Sequence, residues 1–166
     1  METEELKTLQ RPLKARYRED DQAGLVTLEA SGAIDDQNVT CSVATGKAIV
    51  EAGLHPATGG DGSFSCSGDM LLQALVACAG VTLQSVAINR GIELEGGTVR
   101  AEGDLDFRGT MGVAPDAPVG FRDIRLSFEF EGDIGGEDRA ALIETTERYC
   151  VVLQTLLSPP KVVTTT

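Results

Sequence analysis

Apolar residues recur along this chain with two different periods. From Leu13 they alternate: Leu13, Ala15 and Tyr17 share one face, Lys14, Arg16 and Arg18 the other, the two-residue repeat of a strand. A turn cluster at Glu19–Gly24 and a second run at Leu25–Glu29 complete a hairpin with an acidic tip. Asn38–Val43 and Lys47–Glu51 predict two more short strands, and His55–Ser63 is a breaker-rich loop. The pattern then becomes helical. Met70 to Ile88 is apolar on nearly every face, which predicts a core helix buried nearly all round. Ser65 or Ser67 would cap it, Asp69 would complement its N-terminal dipole, and Gly91 would end it after Arg90. Val99–Phe107 and Ile124–Glu131 alternate cleanly as half-buried antiparallel strands around a Gly/Pro-rich loop at Gly109–Gly120. A second helix opens at Gly135-Gly136 and carries an apolar stripe through Leu142, Ile143, Tyr149, Cys150, Leu153, Leu156 and Leu157. Ser158-Pro159-Pro160 stops it. Strands, helix, strands, helix: the fold class is α+β.

Length and charge narrow this picture. The chain has 166 residues, which predicts a polar lead-in over residues 1–12 and one domain over 13–166. A chain of this size buries roughly 70% of its unfolded surface and needs no covalent staple. A formal net charge of -12, with 14 Lys and Arg dispersed, argues against nucleic acid as a partner, since phosphate binding needs clustered cations. Met1–Arg11 is polar and lacks the apolar stretch of a secretory signal. The Met70–Ile88 run contains Gln73, Thr82, Gln84 and Ser85 and reads as a core helix, not a membrane span. The expectation is a cytoplasmic protein in which Cys41, Cys66, Cys78 and Cys150 are reduced.

Chemistry is concentrated in the cysteines. Cys78 and Cys150 each lie in the middle of a long apolar run, so helices packed together would bring two thiols into a greasy pocket. A free cysteine also packs as a small apolar residue, and inert packing is the default for any one of the four. A thiol reacts as its thiolate, and an apolar interior disfavours that form. Cys78 is too far into its helix to gain from the dipole, so reactivity calls for a nearby cation. Arg18 is the preferred candidate, ahead of Arg16, then Arg148 and Lys47; Arg148 has a simpler partner in Glu144 one turn back. The Arg16 and Arg18 pair can equally be read as solvated strand-edge charges. His55, the one histidine, precedes a proline in a loop and is a poor base for Ser-His or Cys-His catalysis. The cysteine spacings match no zinc framework. Neither metal nor cofactor is expected.

Two segments carry a resemblance. Ser67-Gly-Asp-Met-Leu-Leu-Gln-Ala-Leu-Val-Ala-Cys78-Ala-Gly-Val-Thr-Leu83 and Glu147-Arg-Tyr-Cys150-Val-Val-Leu-Gln-Thr-Leu156 are similar to the first and second cysteine helices of the OsmC/Ohr family (osmotically inducible protein C and organic hydroperoxide resistance proteins). The resemblance extends from about Leu13 to the end of the chain. It implies an OsmC-like fold, with antiparallel curved sheets around two long central helices in an intertwined homodimer. It further implies a peroxidatic Cys78 and a resolving Cys150, a disulfide between them reduced by a dihydrolipoyl-type dithiol, and an arginine of the first hairpin, best matched by Arg18, that stabilises the thiolate. Where the family pattern has a glutamate at the start of the first helix, the nearest acid here is Asp69. Where proline commonly follows the second cysteine, Val151 stands.

These readings converge on a cofactor-free, thiol-dependent peroxidase that prefers organic hydroperoxides, with Cys78, Cys150, Arg18 and Asp69 as site residues. Two other readings are a non-catalytic protein that binds a small apolar ligand and a redox-sensing switch. The switch would form the same disulfide stoichiometrically, without turnover.

Overall fold

The computed structural model describes residues 49–112 and 114–166, the strand backbones at 32–34 and 40–44, and the isolated positions Glu4 and Thr8. The first hairpin over 13–29, with Arg16 and Arg18, lies outside the described residues, as does Lys47. Among the described residues the order is β1 (Gly32–Ile34), β2 (Thr40–Ala44), β3 (Ile49–Gly53), a 3-10 turn (Pro56–Thr58), β4 (Ser65–Cys66) and α1 (Ser67–Arg90). There follow β5 (Gly96–Leu105), the short α2 (Phe107–Thr110), β6 (Phe121–Glu131), α3 (Gly136–Tyr149) and α4 (Val151–Leu157). This mixture of helix and strand is the predicted α+β class.

The strands form two sheets, one ordered β1-β2-β3-β4 and the other a β5-β6 ribbon. All pairs are antiparallel except β3-β4, where Ala52 faces Ser65 and Gly53 faces Cys66 in parallel. That short parallel pairing feeds the chain in extended form directly into α1. The last extended residue is therefore Cys66, which occupies the N-cap with no side-chain cap bond. Neither Ser65 nor Ser67 caps the helix as expected, because one is in β4 and the other is already helical. The far end follows expectation: Gly91 adopts φ 71, its N–H meets the Ile88 carbonyl at 3.2 Å and the Ile92 N–H meets Ala87 at 3.0 Å, the two bonds of a Schellman stop.

β5 and β6 pair from Gly96↔Glu131 to Leu105↔Phe121, with an irregularity at Asp104/Leu105. Val99, Ala101, Ile124, Leu126, Phe128 and Phe130 turn to the helices while Arg100, Glu102, Arg125 and Glu129 stay exposed. At Gly103 an added Cβ would come within 2.5 Å of the Phe121 ring, so only glycine lets that ring lie across the ribbon. The predicted β5 strand ends two residues early. Asp106 accepts a bond from the Arg108 N–H at 3.1 Å and starts α2, an N-cap role that local side-chain bonding favours over strand.

α1 departs from expectation in its burial. Leu75, Ala79, Leu83, Val86 and Ala87 are buried against the ribbon and the other helices, but Leu71, Ala74, Ala77 and Val81 lie exposed on the other side. Val81 keeps 70% of its surface. By length and composition α1 could cross a membrane; in this fold one side of it is core.

The second predicted helix also differs, because it is two helices. Cys150 has φ -72 and ψ 106, an extended conformation between α3 and α4. No proline or glycine is present at this break.

Candidate thiol site

Cys78 points from the middle of α1 toward the break between α3 and α4, and Cys150 forms that break. With Leu75 and Ala79 they make one apolar cluster, packed on by Val99, Ala101, Ile124, Leu126, Phe128, Val152, Leu153 and Leu156. Cys150 is wholly buried and Cys78 partly so, and both are free thiols. Val81, Tyr149 and Val151, each at least 60% exposed, are the nearby apolar residues that face outward.

The break decides the electrostatics. In an unbroken helix the N–H groups of Val151, Val152 and Leu153 would bond the carbonyls of Glu147, Arg148 and Tyr149. The turn to extended backbone at Cys150 frees them, and they meet sulfur. Burial pushes the Cys78 thiol up. Against it act the Val152 N–H, the Cys150 thiol, the Val151 N–H and the Thr82 hydroxyl, all as hydrogen-bond partners that favour the thiolate. Their sum wins, and Cys78 lies below the ordinary thiol range. Cys150 moves the other way. Burial pushes it up, the Leu153 and Val152 N–H groups pull it down, and its bond to Cys78 together with the Cys78 charge raises it further. The donors thus favour the thiolate at Cys78, and burial beside it disfavours the thiolate at Cys150.

A cation was expected to be necessary. Among the described residues none contributes to lowering Cys78, and backbone N–H groups, the Cys150 thiol and one hydroxyl do this instead. Arg148 stands over the Tyr149 ring, 5.5 Å from its centroid, and among the described residues forms no ion pair with Glu144.

Asp69 is exposed in the first turn of α1. Nine residues before Cys78, it lies about 13 Å along the axis and about half a turn round, so one chain does not bring it to its own thiols. It borders instead a cleft of about 340 Å³ with His55, Cys66, Leu72, Phe107 and Phe121. There the His55 ring stacks on Phe107 at 4.7 Å and its Nδ1 accepts the Ala57 N–H at 3.0 Å. Cys66 is half-buried at that cleft, away from the thiol pair. Cys41 lies in β2 opposite Ala52. No group of three or more potential metal ligands occurs among the described residues.

Thr82 and Val152 had not been singled out from sequence, and Val151 only as the residue that stands where the family commonly has proline. Thr82 was within reach, since it follows Cys78 by one helical turn. The N–H donors were hidden by the continuous apolar stripe, against which the consecutive β-branched Val151-Val152 pair is only a weak sign. One group in this region stays unsatisfied: Thr146 is buried and its Oγ1 has no partner among the described residues, whereas Thr145 and Thr155 bond carbonyls one turn back at 2.6 and 2.8 Å.

The model of the family described as OsmC-like protein matches residues 60–165, whereas no curated protein matches the chain. Among solved structures, an OsmC-like protein from Mycoplasma pneumoniae superposes with a TM-score of 0.67 at 15% identity, covering 81% of this chain and 89% of that one. An organic hydroperoxide resistance protein from Elizabethkingia anophelis gives 0.64 at 18% identity, covering 81% and 91%. One from Legionella pneumophila, described as a predicted redox protein, gives 0.63 at 18%, covering 81% and 92%. At such identities the superpositions establish a shared fold. Together with the family match over most of its length, they identify this chain as a member of the OsmC-like family.

Proposed function

We propose that the chain is a thiol-dependent peroxidase for organic hydroperoxides. The observation that carries this reading is the pair of free thiols brought into one apolar cluster at the helix break, with donors lowering Cys78 and burial raising Cys150. The Cys78 thiolate attacks the terminal oxygen of ROOH, the O–O bond breaks, and RO⁻ leaves as the alcohol after taking a proton. Cys78 is then a sulfenic acid. The Cys150 sulfur attacks it, water leaves, and a disulfide forms. A dithiol of the dihydrolipoyl class restores both thiols by two exchanges and is itself oxidised to its cyclic disulfide. The apolar residues around the pair favour a carbon-bearing peroxide over hydrogen peroxide, and solved proteins of this fold are named for organic hydroperoxide resistance.

In this proposal the protein works as a cytoplasmic homodimer. The uncovered side of α1, with Leu71, Ala74, Ala77 and Val81, supports contact with a second copy, since a contiguous apolar face of this kind marks an interaction surface. Arg18, which lies outside the described residues, and Asp69, acting through the dimer contact, are the charged residues proposed to complete the site. Sedimentation at the mass of a single chain would remove the dimer from the proposal.

The activity test is dithiothreitol-dependent consumption of cumene hydroperoxide compared with hydrogen peroxide. The expected result is turnover with preference for the organic peroxide, abolished in Cys78→Ser. Cys150→Ser should stop turnover but leave one dimedone-trappable sulfenic acid at Cys78. Equal consumption by the wild type and Cys78→Ser would overturn the reading. Disulfide formation without turnover would favour a switch.

A further inference from the structure

We propose that Gln154 is the positioning residue of the thiol site: its side-chain amide occupies the Glu147 carbonyl and so keeps the Val151 N–H directed at Cys78. This goes one step deeper into the site on which the peroxidase reading rests.

The argument begins with what a helix break costs. Opening the chain at Cys150 leaves carbonyls at the end of α3 without their usual donors. The Cys150 N–H still reaches the Thr146 carbonyl at 2.8 Å, so the first carbonyl to lose its partner is that of Glu147. Its ordinary donor is the Val151 N–H, four residues on, which the break at Cys150 frees and which acts as a donor favouring the Cys78 thiolate. Gln154 Nε2 fills the place, donating to the Glu147 carbonyl at 2.8 Å. The backbone of Gln154 holds the other side of the break, its N–H on the Cys150 carbonyl at 2.9 Å. One residue thus ties α4 to both sides of the break.

No proline or glycine in the local sequence enforces the break. Val151 is not proline, so it can rejoin Glu147 and extend α3 by one residue. Two states compete for the Glu147 carbonyl: a Gln154 amide with Val151 serving sulfur, or Val151 itself with sulfur one donor short. Removing the amide tilts the competition to the second state.

The experiment uses the reduced full chain and follows iodoacetamide alkylation against pH, resolved by mass at each cysteine. Gln154→Met keeps length and removes the donor; Gln154→Glu puts an acceptor against a carbonyl. The loss of one such bond predicts a Cys78 alkylation midpoint higher by about half a unit to one unit, and a rate at neutral pH lower by about threefold to tenfold. The change should be larger for Glu, and Cys66 should be unaffected. A loss of general stability would not shift the Cys78 midpoint alone. If either variant fails to fold, NMR of the wild type decides: Gln154 amide protons should exchange slowly and the Val151 N–H should titrate with Cys78. An unchanged midpoint in a folded Gln154→Met, or a freely exchanging Gln154 amide, overturns the proposal. Because alkylation needs no peroxide, a wild type without turnover would sink the peroxidase reading and leave this one standing.

Discussion

Cys78 and Cys150 stand at matching places in two apolar runs, but the backbone treats them differently. α1 passes through Cys78 without interruption for 24 residues, so every N–H around that thiol is spent on its own helix. The second run stops at Cys150 and starts again, releasing N–H groups from Val151 to Leu153. The continuous helix presents the sulfur that ionises, and the broken helix presents the donors that make it ionise. A partly buried thiol within a regular helix depends for its acidity mainly on what the neighbouring element fails to bond internally.

Three changes separate the roles of the two regions. The largest effect belongs to the shared core: Leu142 is fully buried against Leu83, Val86 and Ala87, and Leu142→Ala should cost about 2–5 kcal/mol in chemical denaturation. The pH profile of Cys78 alkylation should stay in place in the folded protein; a moved profile would mean that the site is not local to the break. Val151→Pro comes next. Proline is tolerated at the first position of a helix, and the extended Cys150 suits the residue before it. The break should persist while one donor disappears, raising the Cys78 midpoint by up to about one unit, or about tenfold in neutral-pH reactivity. Since Cys78 is lowered in the folded chain, its thiolate is populated above that midpoint and lost as pH falls through it, so the deficit should fade at alkaline pH. The smallest effect is expected from Thr82→Val, which removes a single hydroxyl contact worth about 0.5–1 kcal/mol and should slow neutral-pH alkylation by a few-fold. If Thr82→Val outweighs Val151→Pro, the hydroxyl and not the break governs the thiol.

Much of the frame was legible beforehand because it is written in short-range chemistry. Gly91 ends α1 since only a residue at ease with positive φ closes that turn, and alternation across 99–105 and 124–130 can satisfy only a half-buried ribbon. The misreadings share a cause. β4 pairs with β3, so Cys66 and not a serine caps α1. Asp106 bonds the next turn, so Phe107 leaves the strand and stacks on His55. In each case a partner distant in sequence, or a side chain competing for backbone, outbid the local pattern.

The thiol pair shows the same division. Two cysteine-bearing apolar runs were visible, as was their likeness to a family, but whether the sulfurs meet depended on how the helices pack. The break was not visible, because Leu153 and Leu156 keep the stripe in phase with Leu142 across it and no breaker residue marks the spot. Residue identity alone determined which atoms can ionise, which faces are apolar and where glycine must end a helix, for these depend on side-chain chemistry and neighbours in the chain. Tertiary structure alone decided which thiol is favoured as the anion, because that depends on backbone donors brought from another helix to a partly buried sulfur, across a distance no local pattern encodes.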